Sequence, residues 1–311
     1  MSKKIATRDA YGEVLVELGK ENDKIVVLDA DLSKSTKTHD FSKAFPERFF
    51  NIGIAEQNLM GMAAGLSTTG KIPFASTFAM FATGRAFEII RNSIGYPKLN
   101  VKICATHAGI TVGEDGASHQ ALEDIACMRV IPNMTVIVPA DGVETKAAIR
   151  AITEYNGPVY VRMGRSGVPV LNDENTYKFE IGKGVQLKEG NDVTIIATGI
   201  MVSKAMEAAE KLAVEGINAR VVNIHTIKPI DTDMIIKAAK ETGAIVTVEE
   251  HNVIGGLGSA VAEVLVEHYP APMKRIGTQD TFGESGKPDE LLEKYGLTAD
   301  AIVDVAKSMK K

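Results

Sequence analysis

Three segments gather side chains whose types could act together as acid, base and ligand. Glu56, in Gly53-Ile-Ala-Glu56-Gln57, opens a helix of small apolar residues running on to Leu66. An acidic residue in a first helical turn is ordinarily just a favourable partner for the macrodipole. The apolar helix behind this one implies burial, and a buried carboxyl can share a proton with a ring nitrogen. Ser76-Thr-Phe78-Ala-Met-Phe81 sets two aromatics three residues apart, a spacing that by itself reads as core packing. The segment from Thr106-His107 to His119-Gln120 holds three glycines, two imidazoles and the adjacent carboxylates Glu114 and Asp115. That is more titratable chemistry than a structural loop needs. Its histidine spacing fits no helical zinc pair and lacks a third ligand, so no metal site is expected there.

Arginines add anion recognition. Arg162 and Arg165 close a strand, and a guanidinium suits planar, bidentate binding of phosphate or carboxylate. A solvated strand end explains Arg162 equally well; Arg165, set among glycines, favours a ligand. Asp29 and Asp31 end the first strand and lead into Ser33-Lys-Ser35-Thr36, which alone is an ordinary polar turn. Glu249-Glu250-His251 precede Gly255-Gly-Leu-Gly258, glycines like those of a phosphate-cradling turn, although the spacing is neither GxGxxG nor a P-loop.

These residues follow short apolar runs rich in β-branched side chains: Lys24–Asp29, Pro73–Phe78, Val101–Thr106, Thr135–Val138 and Val159–Arg162. Helical periodicity lies between most of them, so the pattern predicts βαβ units and a mainly parallel sheet, which binds ligands beyond its strands' carboxyl ends. Periodicity lapses between about Gly164 and Gly182 and then resumes with Asp192–Ala197, a helix over Ser203–Val214, Ala219–Asn223 and Ala244–Val248. The 311 residues therefore divide into domains over 1–166 and 182–311, joined by a linker over 167–181. A net charge of −5 gives no basic surplus for nucleic acid, and no apolar run reaches bilayer length, so neither nucleic acid nor membrane is expected as a partner. Two cysteines, Cys104 and Cys127, exclude a disulfide framework and suit a reducing, cytoplasmic setting.

Taken in order, Gly53-Ile-Ala-Glu-Gln, Ser76-Thr-Phe-Ala-Met-Phe and Gly113-Glu-Asp-Gly-Ala-Ser-His-Gln resemble the C-terminal half of the transketolase family of thiamine diphosphate enzymes. The resemblance implies an α/β chain of two domains, a pyrimidine-binding domain and a transketolase C-terminal-like domain, each a mainly parallel sheet flanked by helices. It also implies roles. Glu56 would pair with N1′ of the aminopyrimidine, favouring the tautomer that activates the thiazolium carbon. Phe78 and Phe81 would wall in the pyrimidine, with Asp31 bordering the same pocket. His119 would polarise the ketose carbonyl, and Asp115 would bond a sugar hydroxyl. Arg8, Ser35, His107 and Arg165 match positions that hold a distal phosphate.

Two departures from the family pattern matter. A tyrosine common just after the second phenylalanine is missing from Ala82-Thr-Gly84. The Gly-Asp-Gly and downstream Asn that anchor diphosphate and magnesium are missing too; the near match, Glu114-Asp-Gly116, lies in the substrate loop. The resemblance therefore implies that Mg2+ and the diphosphate are held mainly by an N-terminal, diphosphate-binding subunit, in an α2β2 heterotetramer with self-dimerisation. The expected activity moves a two-carbon ketol unit from a ketose phosphate to an aldose phosphate, in pentose phosphate or other carbohydrate metabolism. Met1 and a short polar lead suggest a naturally separate subunit. The β subunit of a 2-oxo-acid dehydrogenase shares the layout but not the paired Arg8 and Arg165. A deoxyxylulose-phosphate synthase half fits the loop, but that enzyme is normally one long chain. A non-catalytic dimerisation scaffold has no need of Glu56, His119 and Arg165 together.

Overall fold

The continuous apolar runs become strands buried along their whole length, as expected of a parallel sheet covered on both faces. In a computed structural model, which describes residues 4–309, fourteen strands fall into three sheets. A short pair, β1 (Lys4–Ala6) and β8 (Gly167–Pro169), is antiparallel. The first large sheet takes β2 (Ile25–Asp29), β3 (Phe49–Asn51), β4 (Ile72–Phe78), β5 (Lys102–Thr106), β6 (Thr135–Ile137) and β7 (Val159–Arg162), all parallel. The second takes β9 (Val185–Lys188), β10 (Val193–Ala197), β11 (Ala219–Asn223), β13 (Ile245–Asn252) and β14 (Met273–Thr278), parallel except for β9.

Helices cover both faces. Thr7–Glu21 buries Tyr11, Val14, Leu15 and Leu18 against one face of the first sheet. Glu56–Thr68 buries Leu59, Met60, Ala63 and Ala64 in a cluster with Leu28 and Ala75. Thr7 is the first residue of its helix, and its hydroxyl accepts from the Gly164 amide at 2.9 Å. In the second half, Met201–Val214 turns Ala205, Ala208 and Ala209 inward, in a cluster with residues of β10 and β11.

The two halves are knitted together beyond what periodicity suggests. Strand β12 (Thr226–Lys228) leaves the second half and pairs antiparallel with β6, becoming the edge of the first sheet. The segment between the large sheets is tied down as well. Asp141 caps the helix Gly142–Glu154 with Oδ1, and its Oδ2 takes the amides of Leu171 and Asn172 at 2.7 and 2.9 Å. Buried Glu144 accepts from Asn223 Nδ2 at 2.8 Å and from Tyr177, joining helix, connector and second sheet. Among the described residues no helix is long and apolar enough to cross a membrane.

Candidate active site

Because β2 to β5 and β7 run parallel, their carboxyl ends deliver their following residues to one edge of the sheet. Glu56 arrives there as the first residue of its helix, 1% exposed. Its Oε2 accepts from Arg85 Nη1 at 2.8 Å, and within the described residues Oε1 is not engaged. Arg85 was not foreseen. It closes a π-helical turn over Phe81–Arg85, and its guanidinium lies 4.8 Å over the Phe81 ring. The only clue in sequence is Gly84-Arg85, at the point where the family pattern loses its tyrosine.

The two phenylalanines are more than core. Phe78 ends β4, and its ring stacks with Phe81 at 5.9 Å and an interplanar angle of 14°. The His107 ring stacks on Phe78 at 3.8 Å and 21°. His119 stands edge-on to Phe81 at 5.3 Å and to Phe78 at 6.3 Å. Two imidazoles twelve residues apart are thus brought to one aromatic wall. Of that wall, Phe81 also lines an adjoining cleft of about 530 Å³, together with Arg85, Ser118 and Gln120 from the first half and Asp280 and Phe282 from the second.

His107 has a fixed tautomer. Arg8 Nη1, which can only donate, lies 3.2 Å from His107 Nε2, so Nε2 accepts and Nδ1 carries the hydrogen, bonded to Thr106 Oγ1 at 2.9 Å. Burial, with the nearby Arg8 and Arg165 guanidiniums, pushes the imidazole pKa down to about 3. Arg8 also donates to the Ser35 carbonyl at 3.0 Å, so Ser35 meets this cluster through its backbone. Arg165 Nη1 donates to the Val112 carbonyl at 2.5 Å and to Glu114 at 3.1 Å. Asp115 lies exposed in the same loop, and Asp31 is exposed and exchanges two hydrogen bonds with Asn51, at 3.0 and 3.1 Å.

Two features read differently in three dimensions. Arg162 is not a solvated strand end; it is 6% exposed and its Nε donates to both oxygens of buried Asp124 at 2.8 and 3.1 Å. The glycines after His251 do not cradle a foreign anion. Glu249 itself accepts from the Leu257 and Gly258 amides at 2.7 and 2.8 Å, so the chain's own carboxylate fills that helix N-terminus.

The donor set fits the pyrimidine end of thiamine diphosphate: a buried carboxylate with a disengaged oxygen beside a flat aromatic wall. For the metal–diphosphate end, no group of three His, Cys, Asp or Glu side chains able to hold an ion occurs among the described residues.

The transketolase pyrimidine-binding domain matches residues 3–170 and the transketolase C-terminal domain residues 182–302. A solved split gene transketolase, described as an inactive β4 tetramer, superposes with a TM-score of 0.92 at 65% identity, covering 99% of this chain and 100% of that one. A 6-deoxy-6-sulfo-D-fructose transketolase subunit of Clostridium sp. is 46% identical over 96% of this chain and 92% of its own length. Human transketolase is 40% identical over 98% of this chain, which spans only 49% of the human protein.

Proposed function

This chain belongs to the transketolase family, and we propose that it is the C-terminal, pyrimidine-binding subunit of a split transketolase. Assembled with a diphosphate-binding subunit that carries the Gly-Asp-Gly motif, it would transfer a two-carbon ketol unit from a ketose phosphate to an aldose phosphate. Family membership makes it a transferase-type chain dependent on thiamine diphosphate; Mg2+ and the diphosphate fall to the partner in this proposal, in a cytoplasmic α2β2 assembly that also dimerises through this subunit. The division into 1–166, 167–181 and 182–311 is part of the same reading.

The observation that carries the proposal is the stacking of His107 on Phe78 while its Nε2 takes Arg8. One ring joins the wall suited to the cofactor to a cationic cluster suited to an anionic sugar terminus. Thiamine diphosphate, when bound, supplies the carbon nucleophile. Glu56 holds or accepts a proton at the pyrimidine nitrogen, and Phe78 and Phe81 orient the ring and exclude water, with Asp31 at the pocket's border. In this reading His119, edge-on to the wall, moves protons at the substrate carbonyl, and Asp115 bonds a sugar hydroxyl. Arg8, Arg165 and the Ser35 segment bind the distal anion, and neutral His107 takes part by holding the Arg8 guanidinium through Nε2. The sulfonated sugar in the name of the Clostridium relative is consistent with an anion at that end.

The test is reconstitution. The purified chain should show no ketol transfer with thiamine diphosphate and Mg2+, and activity should arise on adding a diphosphate-binding subunit of the split type and vanish with chelator. Turnover by the chain alone would contradict the proposal.

A further inference from the structure

The loop from His107 to Gln120 belongs to the first half of the chain, yet its backbone is held by the second. Its path is unusual: His107, Gly109, Gly113 and Gly116 all have positive φ, at 55°, 85°, 83° and 74°. Such a path persists only where its surroundings over-determine it. Here the surroundings come from β13 and from the stretch after β14. Glu250 Oε1 accepts from the Thr111 amide at 2.7 Å, and a Cβ on Gly109 would overlap the same carboxylate. Farther along, a Cβ on Gly116 would meet Ser285 Oγ at 2.6 Å, and one on Gly113 would press on Pro288. Gln120 Nε2 reaches the Glu284 carbonyl at 2.9 Å. The Glu250 carbonyl in turn accepts from Arg162 Nη2 at 2.8 Å, which fixes the strand that carries the carboxylate.

We propose that Glu250 is a positioning residue: from the C-terminal domain it anchors the Thr111 amide and so sets the loop that presents His107, Asp115 and His119. Only the purpose of that loop rests on the transketolase reading; the anchoring itself is a property of this chain. The C-terminal domain thereby becomes a working part of the site rather than an appended module. Glu250 touches neither substrate nor cofactor in this account. It acts through Thr111 and Gly109.

Amide hydrogen exchange on the full chain tests this without any ligand. Glu250→Ala should speed exchange across residues 107–120 by about ten- to a hundredfold, the consequence of losing one hydrogen bond to a charged acceptor. Glu250→Gln keeps an oxygen for the Thr111 amide and should restore most of the protection. Strand β10 and the helix Leu257–His268 should keep wild-type exchange in both variants. Gly109→Ala, which crowds the same carboxylate from the loop side, should reproduce the loop-specific signature and serves if Glu250→Ala does not fold. In the reconstituted enzyme, Glu250→Ala should lower kcat/KM and Glu250→Gln should recover it. Unchanged exchange over 107–120, equal acceleration throughout both domains, or no rescue by Gln would each overturn the proposal. A wild-type assembly without ketol transfer would instead refute the transketolase reading and leave the anchoring intact.

Discussion

Arg8 and His107, 99 residues apart in sequence, meet through Nη1 and Nε2 at 3.2 Å, and that contact fixes the tautomer of an imidazole that burial and the neighbouring cations keep neutral. A neutral ring adds no charge of its own to the site; it accepts from Arg8 and leaves the positive charge to Arg8, Arg165 and Lys37.

The first prediction concerns acid stability. The His107 pKa is about 3 when folded against an ordinary value of 6.5, because burial and the two guanidiniums disfavour the imidazolium. The unfolded chain therefore binds more protons between those values, and this contribution to stability, complete above about pH 6.5, is lost as pH falls toward 3. Urea denaturation from pH 7 down to 4 should show a shallower loss in His107→Asn than in wild type. Parallel curves would mean that His107 titrates normally.

Substitution at Arg165 separates a ligand from a strut. Hydrogen bonds to a charged group contribute about 1.5–3 kcal/mol, so Arg165→Ala should lower kcat/KM for a phosphorylated acceptor by about ten- to a hundredfold, mainly through KM. A short unphosphorylated acceptor should be little affected. Equal impairment of both would reduce Arg165 to its bonds with Val112 and Glu114, a support for the loop.

Arg162 should behave as a buried structural cation. Arg162→Met strands Asp124, which is fully buried and also accepts from Tyr160 at 2.7 Å. Breaking such a pair costs about 3–5 kcal/mol. Chemical denaturation should show a loss of that size; a change below about 1 kcal/mol would show that the pair is dispensable.

The strands that sequence makes plain are those whose signal is local. Ile25–Asp29 and Lys102–Thr106 read as buried strands because their apolar runs are continuous, and Glu56 stands out because the helix behind it is apolar. What remained hidden depends on partners far along the chain. Nothing in Thr226–Lys228 announces that it will extend the other half's sheet, since three residues carry no register of their own. Arg85 looks like any polar helix residue until the π-helical turn brings it to Glu56. Glu249 and Glu250 look like one acidic pair, but alternation along β13 sends Glu249 to a helix N-terminus and Glu250 to the Thr111 amide.

The central claim is that the Glu56 carboxylate exchanges a proton with the cofactor's pyrimidine, and it is tested most directly by deuterium exchange at C2 of thiamine diphosphate bound in the reconstituted complex. Glu56→Gln keeps the shape of the side chain but cannot accept that proton. It should slow the exchange by about 10²–10⁴-fold, the usual worth of a positioned acid–base group, while cofactor binding and thermal unfolding stay close to wild type. Exchange at the wild-type rate in Glu56→Gln would contradict the account.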